Sequence, residues 1–176
     1  MVVILSSLIS KIQEYIAALI VVNKNVKANN LDETELWNIV KEALFLQILM
    51  NLSKIFDNEK TCGNENCSLR LLQSSLKNDD AKYVELMEQI DAIYRDYEQV
   101  VPRSIRNKKL AHFDLNEIVN GEPTTIDLDD VKSIVLSLCS LITIISEQML
   151  GFAEINFPPI DLLVEHMEQS TGNLFV

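Results

Sequence analysis

Apolar residues recur at intervals of three and four along most of this chain, and this periodicity constrains the fold more than any other feature. The longest such runs cover residues 1–28, 35–56, 81–100 and 128–150. Gly and Pro, which interrupt helices, occur only four times each in 176 residues. No run shows the strict alternation of a half-buried strand. The pattern therefore predicts an all-α protein: an up-and-down bundle of four main helices with short additional helices.

The first helix is apolar enough to raise the question of a membrane span. Lys11, Gln13 and Glu14 interrupt it at its centre, where charges penalise a spanning helix. Its start also lacks the cations of a signal peptide. We therefore expect no membrane association, but an amphipathic helix ending near Ala28. Its expected buried stripe is Ile4, Leu8, Ile12, Ile16 and Leu19.

Local signals predict where the other helices start and stop. Asp32 and Glu35 are spaced as a capping box, Ser68 is placed to cap a short helix through residue 76, and Asp127 to cap the last long helix up to residue 150. Pro102 ends the helix over 81–100, kinks it, or starts a new one. The side chains expected to point inward from the second helix and from the helix over 81–100 are Trp37, Val40, Leu44, Ile48, Leu52, Ile55, Val84, Met87, Ile90 or Ile93, Tyr94 and Tyr97.

The length and composition predict a single domain over residues 1–176, with a core of about 32–150 and a C-terminal extension over 151–176. The net charge of −11 argues against a general nucleic-acid coat protein, which needs excess cations. The charge is uneven: residues 1–110 carry 14 basic and 15 acidic side chains, and residues 111–176 carry one basic and 11 acidic. A local basic site therefore remains compatible with this composition.

The three cysteines do not predict a metal or another cofactor. Cys139 lies in an apolar helical run, which is typical of a buried thiol. Cys62 and Cys67 lie in a polar segment, with a loop expected over 57–66, and no second pair follows at the spacing of a zinc site. A metal or a disulfide at this pair stays open beside two ordinary thiols in a reducing cytoplasm.

The stretch RSIRNKKLAHFD carries the chemistry that stands out. Arg103, Arg106, Lys108 and Lys109 form a cationic run without acids, and His112 follows. Guanidinium groups suit phosphate oxygens, and a histidine gives or takes a proton near neutral pH. These groups are enough for metal-free RNA cleavage in which the RNA's own 2′-hydroxyl is the nucleophile. The alternative is structural: a histidine packed on an apolar helix face and a cationic run in solvent.

Helical geometry complicates a shared site. Ile105 and His112 are seven residues apart and share a face that continues from Val101, whereas Arg106 points about 120° away from His112. The helix deforms near His112, or the long arginine side chain reaches around it, or a second subunit completes the site.

The segment RNKKLAHFD resembles the signature of the HEPN superfamily (higher eukaryotes and prokaryotes nucleotide-binding domain): an arginine, a polar residue and a histidine after a short gap. Together with LSKIFD at 52–57 and SLRLL at 68–72, it looks like the abortive-infection U-type branch. The resemblance spans roughly Trp37 to Leu150. It implies a helical bundle that forms a homodimer, with a composite site where two motifs face each other.

The resemblance also implies a metal-independent endoribonuclease, acting in bacterial phage defence or as the toxin of a toxin–antitoxin pair. On this chain His112 would transfer the proton, Arg106 would stabilise the phosphate and Asn107 would support it. RNA is the implied substrate, with a possible antitoxin or regulator as partner in the cytoplasm. The further residues expected to bind RNA are Arg103, Lys108 and Lys109.

One departure from the pattern is Asp114. Related toxins carry a tyrosine two residues after the histidine, which their antitoxins modify, so regulation by that route is not expected here. Asp114 could instead orient His112 and raise its basicity. Two other functions stay open: a non-catalytic module that binds nucleotide or RNA, and a helical interaction protein whose acidic residues 153–176 meet a basic partner.

Overall fold

The computed structural model describes residues 1–31, 35–76, 81–102, 105, 126–149, 151 and 155–171. It confirms the all-α class. The helices and strands are α1 (Val2–Ala28), α2 (Glu35–Ile55), β1 (Lys60–Thr61), β2 (Asn64–Glu65), α3 (Leu69–Ser75), α4 (Ala81–Val100), α5 (Leu128–Ile144), a π-helical turn (Ile145–Met149) and α6 (Ile160–Thr171).

The first helix, α1, lies at the centre of the described part of the bundle. It packs against α2, α5 and α6. Gln13, which is buried, donates from Nε2 to the carbonyl of Pro158 at 3.0 Å and so ties the lead into α6 to α1. Lys24 and Glu168 form an ion pair of 2.6 Å near the other end of the same contact. α1 and α6 therefore run parallel to each other.

The predicted buried stripe of α1 is right from Ile12 onward, whereas Leu8 is only partly buried and Ile4 is exposed. Ile4 is 53% exposed, whereas Leu5 and Ile9 are fully buried beside the predicted Ile12 and Ile16. Adjacent helical positions point about 100° apart, so a stripe that begins at Leu5 turns Ile4 away from the core. The first turn is apolar at both Ile4 and Leu5, so its sequence fits a buried stripe that starts at either residue. Packing against the neighbouring helices buries Leu5.

By length and composition alone, α1 could cross a membrane, with a mean hydropathy of 1.5 over its most apolar window. It is the one helix among the described residues for which this holds. The core helix of a soluble protein and a signal sequence both pass the same test, and in this structure α1 packs against α2, α5 and α6.

The second helix, α2, buries its predicted stripe only in its C-terminal half. Ile48, Leu52 and Ile55 are buried. The N-terminal members of the predicted stripe, Trp37, Val40 and Leu44, are only partly buried. Asp32, the predicted cap, lies outside the described residues.

The segment between α2 and α3 differs from the predicted loop. Residues 57–66 contain a small antiparallel hairpin, with Lys60 opposite Glu65 and Thr61 opposite Asn64. Cys62 and Gly63 form its turn with φ of +51° and +86°. Positive φ at both central residues matches the twist of a two-residue hairpin, and glycine adopts it without steric cost.

The caps and ends of α3 and α4 follow the prediction. Ser68 Oγ accepts a hydrogen bond of 3.3 Å from the N–H of Leu71, and α4 ends at Val100 ahead of Pro102. The buried face of α4 includes Leu86, Ile90, Ile93 and Tyr97. The expectation for Val84 was wrong.

Val84 is 56% exposed because the spacing from Leu86 to Tyr97 places it on the outer side of α4. The cap of α5 is confirmed, since Asp127 Oδ1 accepts from the N–H of Asp129 at 2.9 Å. The α-helical hydrogen bonding of α5 stops at Ile144, and the chain then continues through the π-helical turn and not as α-helix to residue 150.

Candidate functional site

The sequence places the candidate catalytic motif between α4 and α5. Its residues lie outside the described part of the chain: Arg103, Arg106, Asn107, Lys108, Lys109, His112 and Asp114. The roles of these residues, and the offset between Arg106 and His112, therefore stay predictions. The structure does describe the two helices that flank the motif and the packing that holds them.

The chain enters the motif from a buried anchor. The N–H of Val101 donates to the carbonyl of Tyr97 at 2.7 Å, which adds one helical bond beyond α4. The N–H of Ile105 donates to the carbonyl of Pro102 at 3.0 Å, which closes a turn. Val101 and Ile105, which precede Arg106 in the sequence, both have buried side chains.

An aromatic cluster of Phe56, Tyr94 and Tyr97 fixes the last turns of α4. Phe56 stacks on Tyr97 with centroids 3.9 Å apart and meets Tyr94 edge-on at 5.0 Å. Tyr97 also shares a hydrogen bond of 3.1 Å with Ser53 on α2. Sequence reasoning placed both tyrosines inward but missed Phe56, because no periodicity relates a residue after α2 to positions on α4.

Arg70 on α3 covers this cluster from outside. Its guanidinium carbon lies 4.0 Å from the centroid of the Tyr94 ring, a cation–π distance. Its Nη1 donates to Asp91 on α4 at 3.1 Å and to Gln73 at 2.7 Å. Arg70 therefore ties α3 to α4 about ten residues before the motif begins, and sequence reasoning did not assign it this contact.

The Tyr94 hydroxyl is the polar atom that this cluster leaves unsatisfied. Its Oη is buried, and no group in the described part of the chain meets hydrogen-bond geometry with it. Burial raises the pKa of Tyr94 to about 12, although the nearby charge and backbone N–H of Arg70 act in the opposite direction. The hydroxyl therefore stays protonated at neutral pH.

A shallow acidic cleft of about 180 Å³ lies between the helices that flank the motif. Asp96 and Gln99 line it from α4, and Asp130 and Ser133 line it from α5. The end of α4 and the start of α5 are therefore neighbours, so the helices run antiparallel and the motif segment leaves and returns at the same end of the bundle. The carboxylates of Asp96 and Asp130 make this cleft unfavourable for anions such as phosphate.

The other candidate residues do not form a metal site within the described ranges, where no group of three His, Cys, Asp or Glu side chains comes together. Cys62 is exposed in the hairpin turn, and Cys62 and Cys67 are free thiols. Cys139 is buried, as predicted, and burial raises its pKa to about 11. His166 lies on the exposed side of α6, a helix that contains no arginine.

The structure is an all-α bundle, and its sequence carries an arginine-to-histidine motif between α4 and the last long helix. This combination is typical of HEPN proteins. The family model described as AbiU2, of the HEPN type, matches residues 4–151. The chain therefore belongs to the AbiU2 family of HEPN-like abortive-infection proteins. The match includes almost all of α1, so it extends the resemblance beyond the segment starting at Trp37. No curated protein and no solved structure matches the chain.

Proposed function

We propose that this chain is a metal-independent endoribonuclease of bacterial defence, acting in the cytoplasm either in abortive infection or as a toxin held by an antitoxin. The observation that carries the proposal is the sequence Arg106–Asn107–His112 in a member of the AbiU2 family. The motif supplies phosphate-binding cations and a proton-transfer group in an otherwise acidic chain. The catalytic unit is a homodimer with a composite site.

The chemistry needs no nucleophile from the protein. The 2′-oxygen of the RNA attacks the adjacent phosphorus as its proton leaves, and the bond from phosphorus to the 5′-oxygen breaks as that oxygen gains a proton. His112 transfers these protons, because histidine is the side chain that most often gives and takes protons in catalysis. Arg106 stabilises the charge that develops on the phosphate, and Asn107 supports it. The products are a 2′,3′-cyclic phosphate and a 5′-hydroxyl.

The described structure supports the proposal through the close packing at the end of α4, just before the motif in the sequence. A catalytic group must be held to within a fraction of an ångström, and this requires a well-packed support. The aromatic cluster, Val101 and Ile105 provide that support at the end of α4. Arg103, Lys108 and Lys109 then bind the RNA backbone on either side of the reacting phosphate.

RNA cleavage in the presence of EDTA tests the proposal. We expect the wild type to cut RNA and to leave cyclic phosphate ends, and His112→Ala to lose at least about a hundredfold in rate, the usual size of a general acid–base contribution. His166→Ala is the matched control, since it removes the chain's other histidine from an exposed position on α6. An inactive wild type, or equal activity of His112→Ala, would refute catalysis.

Arginine variants separate catalysis from binding. We expect Arg106→Ala to lower both the cleavage rate and the affinity for RNA, whereas Arg95→Ala, on the exposed side of α4, leaves both near the wild-type values. Binding that weakens with salt and with Arg106→Ala, without strand scission, would identify the alternative function, a non-catalytic RNA-binding module. Loss of a protein partner on deletion of residues 153–176, with no effect of either variant, would identify an interaction protein.

A further inference from the structure

One side of α5 stays exposed from its second turn to its end. Its members follow helical spacing, and we call them the outer face of α5: Ser133, Leu136, Ser140 and Thr143. Leu136 is 54% exposed, both serines are exposed, and Thr143 is partly buried. The residues that α5 buries, such as Leu138 and Ile142, point in roughly the opposite direction on a helical projection, and α1 and α4 pack against the helix. The outer face is therefore left largely uncovered by the described part of the chain.

Two hollows open along the outer face of α5. The first is the acidic cleft between α4 and the start of α5, which Ser133 lines. The second, of about 430 Å³, lies between the end of α5 and the segment that leads into α6, with Ser140 on one side and Phe157 on the other. Ser133 and Ser140 are about 10 Å apart along the helix, and Leu136 lies between them. The two hollows and Leu136 therefore form one trough, which we call the α5 trough.

The hydroxyl groups in the α5 trough already have partners within the chain. Ser140 Oγ donates to the carbonyl of Leu136 at 3.1 Å, and Thr143 Oγ1 donates to the carbonyl of Ile155 at 3.3 Å. Because these donors are used, the middle of the trough behaves as an apolar surface. An amphipathic helix that lays its apolar face into a groove between helices is a recurrent mode of recognition. The shape and lining of the trough therefore fit the apolar face of one helix.

Carboxylates stand at both ends of the α5 trough. Asp96 and Asp130 line the cleft at one end. Glu147 is exposed in the π-helical turn at the other end, about 25 Å away by helical rise. Lys132 is the one lysine or arginine within 111–176, and its Nζ pairs with Asp129 at 2.7 Å. A helix that docks in the trough therefore needs cations near both of its ends to complement these carboxylates.

The charge of the α5 trough indicates that its occupant is a foreign helix. Two copies of this chain that met through the same patch, as two-fold dimers do, would bring carboxylates against carboxylates. α2, which has three exposed large apolar side chains, carries two acidic and two basic side chains over Glu35–Ile55 and so has no net charge to offer. We propose that the α5 trough docks a helix of another protein, apolar on one face and with lysines or arginines near both ends of that face. This interaction does not depend on the ribonuclease function.

Binding of a helical peptide to the full-length protein tests the proposal. The probe has about 18 residues, roughly the length of the trough, with leucines on one face and lysines near both ends of it. A twin peptide carries glutamates in place of the lysines. Fluorescence anisotropy should show that the lysine peptide binds and the glutamate peptide does not. Leu136→Lys should weaken binding of the lysine peptide at least about tenfold, because it places a cation at the apolar centre of the trough. Glu147→Lys should weaken it about threefold.

Val84→Lys and Glu85→Lys are the matched controls, because both residues are exposed on α4, Val84 to nearly the same extent as Leu136. Both should bind the peptide as the wild type does. Circular dichroism checks that each variant is folded, and Leu136→Ser decides if Leu136→Lys is not.

The proposal is overturned by equal binding of the two peptides, by wild-type affinity in the folded Leu136 variant, or by an equal loss in the controls. Sedimentation velocity adds a further outcome: self-association of the wild type that Leu136→Lys abolishes would assign the α5 trough to a second copy of this chain and overturn the foreign partner. RNA cleavage is measured separately, so a failure of the ribonuclease function leaves the peptide result unaffected.

Discussion

Tyr94 and Tyr97 lie one turn apart on α4, but their hydroxyl groups contribute differently to the stability of the fold. Tyr97 Oη shares a hydrogen bond with Ser53, whereas Tyr94 Oη is buried without a partner in the described part of the chain. A buried hydroxyl without a partner carries a desolvation cost, and a satisfied one stabilises by about 1 kcal/mol. The rings contribute in both cases through Phe56.

Phenylalanine substitutions test this difference. Tyr97→Phe should lower the free energy of unfolding by about 1 kcal/mol, because it removes the bond to Ser53. Tyr94→Phe should leave it unchanged or raise it by up to about 1 kcal/mol, because it removes the unsatisfied hydroxyl. Urea unfolding at pH 7 measures both. A Tyr94→Phe variant less stable than Tyr97→Phe would show that the Tyr94 hydroxyl has a partner after all.

The raised pKa of Tyr94 predicts a pH effect. The folded state favours the protonated phenol, so this contribution to stability is fully present below the ordinary pKa near 10 and is lost as the pH rises towards the folded-state pKa of about 12. Wild-type stability should therefore fall between pH 10 and 12. Tyr94→Phe should lose less over the same range. Parallel losses in the two proteins would assign the decline to other groups.

The cysteines should differ in reactivity in the order of their burial. Only a thiolate reacts readily, and burial both blocks access to Cys139 and raises its pKa to about 11. Cys62, exposed in the hairpin turn, should react first with DTNB at pH 8, and Cys139 only after unfolding. Cys62→Ser should remove the fast phase. A fast phase that survives this substitution would place the reactive thiol at Cys67 or Cys139.

At the scale of elements, α3 depends on its cap. The helix is short, Leu69–Ser75, and its buried first residue follows Ser68, whose hydroxyl accepts from the N–H of Leu71. Ser68→Ala should cost about 1 kcal/mol of stability in urea unfolding. Ser75→Ala should cost little, since the exposed Ser75 hydroxyl bonds back to a carbonyl within the same helix. Equal effects of the two substitutions would contradict a special role for the cap.

The boundaries of these elements could be predicted because their signals are local. Ser68 and Asp127 act on their own turns, so the sequence around each residue is sufficient. Pro102 left three outcomes open, and the structure shows that α4 ends ahead of it. The faces of the helices were predicted less well. Ile4 and Val84 belong to apolar patterns that fit two adjacent stripes, and the neighbouring helices decide which stripe is buried.

The limits of sequence reasoning were largest for α2 and for the candidate site. Both faces of α2 have helical apolar spacing, and contact with α1 decides which one faces the core. The motif from Arg106 to His112 could be found from residue types and spacing alone. The packing around α4 could not be predicted, because Phe56 and Arg70 reach α4 from parts of the chain that are distant in sequence.

For the whole molecule, the distribution of charge limits where the RNA of the proposed function could approach. Residues 111–176 hold 11 of the 26 acidic side chains and one of the 15 basic ones. Asp96 and Asp130 line the cleft between the end of α4 and the start of α5. In the proposed reaction, RNA would be repelled by the acidic C-terminal third of the chain and attracted by the cations of the motif. If the proposed dimer brings two motifs together, the cations of both chains would add to this local attraction.

Mixing two inactive variants tests whether two chains build one site. His112→Ala and Arg106→Ala should each be inactive alone. If the site joins Arg106 of one chain to His112 of the other, half of the randomly mixed dimers have one intact site, and the mixture should regain about a quarter of wild-type activity. The measurement is RNA cleavage after the variants are unfolded and refolded together. A mixture of His112→Ala with the double variant is the control, since no pairing of these chains restores a site. Dimers that form in the mixture but stay inactive would place both residues of each site on one chain.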